Sequence, residues 1–286
     1  MTSVPQNGEH KSYHENGQLN MQEFYQDGKL NGERKEFYDN GQCKIQEFYH
    51  DGKREGERKI WYANGQLKIR QFYRDGKEEG EYKSWHENGQ LELQEFYQNG
   101  KREGESKSWH TNGHLDIQQF FRDGKQEGEC KNWYENGQLE IQSFYRDGKI
   151  EEEHKEWYVN GQLRIQSFYR NDKPEGERKV WYANGQISEQ DSYRDGKVEG
   201  IQRFWHENGS PWVYEFRQDG EINGIYRSWN DGQILKQAFF RNGQLVDENF
   251  SLSKIRVFRR IIKHSQTRNL TPINGIIISD LINIIA

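Results

Sequence analysis

Proline, cysteine and methionine are all scarce in this chain of 286 residues, with 4, 2 and 2 copies. The two cysteines, Cys43 and Cys130, lie far apart and make no disulfide framework, so a reducing, cytoplasmic setting is expected. The first thirteen residues contain no apolar stretch of the secretory kind, and no run reaches the roughly 20 apolar residues that cross a bilayer. Hydrophobic residues make up only 31%, against about 45–50% in ordinary globular domains, which excludes a large compact core. Neither sign of charge dominates: 41 Lys and Arg face 46 Asp and Glu, a net charge of −5 that gives no global pull toward nucleic acid. Aromatic side chains (14%) and glycine (29 residues), in contrast, are plentiful. Disordered chains are poor in aromatics, so this composition points to repetitive β structure one layer thick.

Self-similarity decides the organisation. Asn-Gly-Gln recurs at 16–18, 40–42, 64–66, 88–90, 136–138, 160–162 and 184–186, always 24 residues or a multiple apart. Asp-Gly recurs in phase at 27, 51, 75, 123, 147, 195 and 219, with Asn99-Gly100 in the same slot. Eight tryptophans, at 61, 85, 109, 133, 157, 181, 205 and 229, keep the period. About ten such units fill the chain to roughly residue 246, which is the signature of a repeat architecture. In the last unit Trp229-Asn230-Asp231-Gly232 is one residue shorter than its predecessors.

Asn-Gly and Asp-Gly between alternating strand-like runs are hairpin signals. Reading both as three-residue loops, a type I turn followed by Gly in the left-handed region, fixes a register. It pairs His86 with Gln90 and Trp85 with Leu91, and puts Trp85, Leu91 and Leu93 on one face. It also pairs Tyr73 with Lys77 and sets Gly80 opposite Arg70 and Phe96, where an aromatic ring would cover it. The expected fold is an all-β, elongated, single-layer antiparallel meander of about twenty short strands, on the order of 95 Å long, stabilised between neighbouring repeats. Four departures, Glu152 for Gly, Asn171-Asp172 for Asp-Gly with Pro174 behind it, Ser192 for Phe and Pro211 for Leu, predict a looser or bent sheet between about 150 and 215.

Beyond the array, residues 249–286 form a separate segment. Leu252, Ile255, Phe258 and Ile262 make an apolar stripe after the candidate N-cap Ser251, which predicts a basic amphipathic helix carrying Lys254, Arg256, Arg259, Arg260 and Lys263. An Ile-rich run at 273–286 is too short to span a bilayer. Two roles are open for the helix: a C-terminal cap on the last strand of the array at 1–248, or a contact with an anionic membrane or acidic partner. Nucleic acid is not expected as a partner.

Chemical sites find little support. His14, His86, His110 and His206 occupy a slot that other units fill with Tyr38, Tyr62, Tyr134, Tyr158 and Tyr182, so the slot wants an amphipathic ring rather than a metal ligand. Equivalent positions lie about 9.6 Å apart, too far for one zinc ion. Acids that recur in every unit read as a solvated ladder, not a catalytic pair, and no glycine opens a helix to make a phosphate loop. No catalytic residue, metal or cofactor is expected. Cys43 and Cys130 read as packing residues.

The pattern Trp-Tyr-x-Asn-Gly-Gln-Leu…Phe-Tyr-x-Asp-Gly-Lys-x-x-Gly-Glu, shown well by residues 130–148, resembles the MORN repeat, in the variant form found in antitoxin-like bacterial proteins and large amoebal viruses. The family's glycines map onto Gly32, Gly56, Gly80, Gly104, Gly128, Gly176, Gly200 and Gly224, with Glu152 the exception. The resemblance implies an elongated single-layer β-sheet and a non-catalytic role in scaffolding, protein contact, dimerisation or phosphoinositide binding. The leading expectation is a protein-interaction scaffold, with Trp61, Trp85, Trp109, Trp133, Trp157 and Trp181 as candidate contacts for a protein partner and an end-to-end homodimer as a further possibility. The alternative is a peripheral membrane protein that uses the basic helix.

Overall fold

The computed structural model describes residues 6–248, and every regular element among them is a β-strand. The expected helix after Ser251, with Lys254, Arg256, Arg259, Arg260 and Lys263, lies outside the described residues. The chain divides into two compact units. Among the described residues, the first runs to Glu175 and includes the turn Ala183–Gly185; the second holds Gly176–Tyr182 and residues 186–248. Each is an antiparallel meander in which strands adjacent in sequence pair with one another.

One repeat shows why the sequence folds this way. Strand Leu67–Arg74 turns into the two-residue strand Lys77–Glu78, then Gly80–Trp85, and the next repeat begins with Leu91–Gln98. At the Asn-Gly turn the expected three-residue loop is present: the Gly89 amide donates to the His86 carbonyl and the His86 amide to the Gln90 carbonyl. Gly89 has φ of 86°, and Trp85 pairs with Leu91 as expected. The Asp-Gly turn corrects the expectation. Arg74 pairs with Lys77 across only two residues, Asp75 and Gly76, with φ of 52° and 78°. Two positive φ values make a type I′ turn, whose twist matches that of the strands and which Asp tolerates. The shortened final unit does the same with Asp231 and Gly232, joining Asn230 to Gln233.

Two bulges correct the faces. Ser84 pairs with Leu93 while its neighbour Trp85 pairs with Leu91, which leaves Glu92 as an extra residue. Leu93 therefore lies on the face opposite Trp85, because a one-residue insertion reverses the alternation. The second bulge is at Glu79-Gly80, where the Glu79 amide donates to the Phe72 carbonyl and the ladder resumes at Lys83–Arg70. Gly80 consequently pairs with Tyr97, not Phe96 or Arg70. A Cβ at Gly80 would meet nothing within 4 Å, so no ring covers it; the slot needs glycine for its φ of 80°.

The departures from the repeat do not break the pairing. Glu152 takes the glycine slot at φ of 60° inside strand Lys149–Trp157, and Asn171-Asp172 keeps the two-residue turn at 51° and 65°. Pro174 pairs with Tyr169 and Pro211 with Trp205. Within each unit the described ladders run through these positions with the same partners as in the other repeats. Glu152 still bears the cost of its backbone, about 1 kcal/mol for a non-glycine residue in the left-handed region. Glu152→Gly is expected to raise stability by about that amount in urea denaturation; an unchanged midpoint would show that the exposed Arg146–Glu152 contact offsets the strain.

Candidate interaction surface

The two faces of the sheet differ in an unexpected way, because the more buried one is polar. Opposed residues of successive strands form a row: Arg34 with Glu47, Arg58 with Gln71, Tyr82 with Glu95, Ser106 with Gln119, Cys130 with Ser143 and His154 with Ser167. Glu47 is 1% exposed. Arg34, Arg54 and Arg58 donate to its carboxylate at 2.7, 2.9 and 3.0 Å, and the Tyr49 hydroxyl donates at 3.1 Å. Burial works against the charge, but the bonds from Arg54 and Arg34 outweigh it and hold the carboxyl below its ordinary range. Long side chains on this face replace a second layer, as Arg54 lies over the Tyr73 ring and Tyr82 meets Tyr97 edge-on. Burial pushes the Tyr97 hydroxyl up to about 12; Arg102 opposes the rise and the Glu95 carboxylate adds to it.

The second unit repeats the row with a mismatch. Arg178 is shared by Asp191 and Glu189, each at 3.0 Å, and the Asp191 Oδ1 has no hydrogen-bond partner. Burial raises the Asp191 carboxyl to about 6; the Arg178 charge opposes this, and the Glu189 carboxyl reinforces it.

Both sets of turns are stacked. In the slot shared by His and Tyr, the Tyr38 and Tyr62 hydroxyls and the His86 and His110 Nε2 groups each bond the carbonyl 23 residues ahead, at 2.8 Å. A carbonyl accepts only, so Nε2 carries the proton in the histidines. The amphipathic-ring reading of this slot is thereby given its physical basis. Asn88 ties its turn to the next by donating from Nδ2 to the Thr111 carbonyl, while its Oδ1 accepts from the Gln90 amide. His86→Tyr is expected to be nearly neutral and His86→Phe to cost about 1 kcal/mol, the net worth of one hydrogen bond; equal melting temperatures for the two would refute this.

The other face carries Glu81, Lys83 and Trp85 opposite Phe96, Gln94 and Leu91. Lys83 and Gln94 bond Glu81 at 2.7 and 2.9 Å, and the same trio recurs as Glu105, Lys107 and Gln118, a solvent-facing ladder as read from the period. The tryptophans at 61, 85, 109, 133, 157 and 181 are half-buried. Four phenylalanines of the first unit that share one slot of the repeat, Phe48, Phe96, Phe120 and Phe168, are more open, at 38–42% exposure, and Tyr13 in the first strand stands at 61%. Sequence reasoning passed over these phenylalanines, and the Glu opposite each is no signal by itself, because the half-buried Phe72 and Phe144 face Glu57 and Glu129 in the same way. Among the described residues no group of three or more His, Cys, Asp or Glu is placed to hold a metal, and no helix is long and apolar enough to cross a membrane.

A family model for the MORN repeat variant matches residues 6–27, 30–51, 54–75, 78–100, 102–123, 126–147 and 174–195, more than half of the chain. The chain belongs to this family. The model passes over the stretch with Glu152 and Asn171-Asp172 and the chain beyond 195, yet the strands continue there. No curated protein matches the chain. Among solved structures it is similar to the crystal structures of TcdB2-TccC3 and TcdB2-TccC3-Cdc42, at 11% and 12% identity and a TM-score of 0.21 for each. It covers 85% of its own length and spans only 17% of theirs.

Proposed function

We propose that this MORN repeat variant protein is a non-catalytic scaffold that holds a protein partner on the ladder face of its sheet. The observation that carries this is the set of exposed rings at Phe48, Phe96, Phe120 and Phe168, presented in one register slot beside ladder groups that are bonded to one another. Aromatic side chains supply much contact area at low entropic cost and dominate the energetics of interfaces. The stacked turns hold the rings at fixed spacing before a partner arrives, which removes part of the ordering cost of association.

Affinity capture from native-cell lysate tests the reading. The full chain is expected to retain one protein in stoichiometric amount, and the fourfold variant Phe48→Ser, Phe96→Ser, Phe120→Ser and Phe168→Ser to lose it while keeping the circular dichroism of the folded sheet. Equal capture by the variant would overturn the surface assignment. Capture of membrane fragments alone, abolished by truncation after Phe250, would favour the basic C-terminal segment as the contact.

A further inference from the structure

A shallow groove of about 600 Å³ crosses three successive repeats of the first unit, lined by Glu55, Glu79 and Glu103, by Phe72 and Phe96, and by the bulge glycines Gly56 and Gly80. The glycines leave it open, since a Cβ at either would meet nothing within 4 Å. Its carboxylates are fixed in place. One oxygen each of Glu55, Glu79 and Glu103 accepts the turn amide of Asp75, Asn99 and Asp123, at 2.8, 2.9 and 2.8 Å. Arg74 approaches the other oxygen of Glu79 at 3.8 Å, whereas those of Glu55 and Glu103 have no ion-pair partner among the described residues. Pre-positioned carboxylates beside aromatic rings suit a guanidinium or ammonium group, which pairs with the first and stacks on the second.

The period selects the backbone that would bring such groups in. Each repeat contributes two strand spacings, so equivalent carboxylates recur about every 9.6 Å across the sheet. A polyproline II helix advances about 9.3 Å per three-residue turn and returns every third side chain to the same side. An extended β-strand cannot do this, because its side chains alternate with period two. We infer that the groove binds a polyproline II segment of a partner protein that carries arginine or lysine at every third position and runs across the strands. The inference deepens the scaffold reading and rests on it.

Fluorescence anisotropy of labelled (Arg-Pro-Pro)5 against the full chain is the test. Saturable binding is expected, with no binding of (Glu-Pro-Pro)5 and about tenfold weaker binding of (Arg-Pro)5, which carries the same charge at the wrong spacing. The double variant Glu79→Gln with Glu103→Gln keeps the acceptors for the turn amides and removes two charges. It is expected to bind (Arg-Pro-Pro)5 about tenfold more weakly with an unchanged melting temperature. Absence of binding, equal binding of both arginine peptides, or an unaffected double variant would each overturn the groove assignment. If the peptide fails while the four-phenylalanine variant still loses its captured protein, the groove assignment falls and the scaffold stands.

Discussion

Glu47→Ala is expected to cost the first unit about 3–5 kcal/mol, because removing one member of a buried ionic cluster strands the charges that faced it. Arg34 retains Glu23 and Glu36 as partners, but among the described residues Arg54 and Arg58 have their ion pair to Glu47 alone. The effect also has a pH signature. The Glu47 carboxyl lies below its ordinary value of 4.5 in the folded chain, so its stabilising contribution is fully present above that value. It is lost as the pH falls through the lower, folded value, since the unfolded chain then binds the proton more readily. Urea denaturation at pH 7 and at successively lower pH measures both effects. The wild type should lose stability on acidification more steeply than the variant, and a loss below about 1 kcal/mol at pH 7 would show that water satisfies the arginines.

Asp191→Asn should act in the opposite direction. Its carboxyl titrates near 6 in the fold, against 3.8 ordinarily, so the folded state holds a proton that the unfolded chain releases. A group raised in this way stabilises the fold below its unfolded value, and the contribution is lost as the pH rises through about 6. At pH 7 the buried carboxylate is a burden of up to about 3 kcal/mol, from roughly two pKa units at about 1.4 kcal/mol each. The asparagine variant removes the charge and leaves Arg178 paired with Glu189. It is expected to be more stable than the wild type at pH 7 and nearly equal to it at pH 4. A wild-type stability that does not rise between pH 7 and pH 5 would contradict the assignment.

The 24-residue period, the antiparallel meander and the exact partners at the Asn-Gly turn were legible because they follow from local rules. Asn88-Gly89 folds on its own hydrogen bonds, and Trp85 then has to meet Leu91. The substitution of Tyr by His in one slot also identified a ring with a polar tip, since both supply a donor at the same reach. Function was less legible. Repetition marked the tryptophans, but half-burial shows that they serve the sheet as well as any partner, while more exposed rings belong to phenylalanines in the same periodic pattern.

The sequence by itself determined the repeat, its strands and one of its two turns, because period, alternation and the positive φ of glycine act within a few residues. Only the tertiary structure decided which face is buried. The two-residue turn at Asp75-Gly76 and the bulges at Glu79-Gly80 and Glu92 reassign side chains between faces, and composition carries no trace of that choice. Glu47 belongs to the Gln-Glu-Phe-Tyr slot and Glu57 to the Gly-Glu-Arg-Lys slot, and neither slot announces which glutamate is buried. One lies under three arginines and the other in the solvent-facing ladder with Lys59, because burial depends on which strands flank a position and on what their side chains cover.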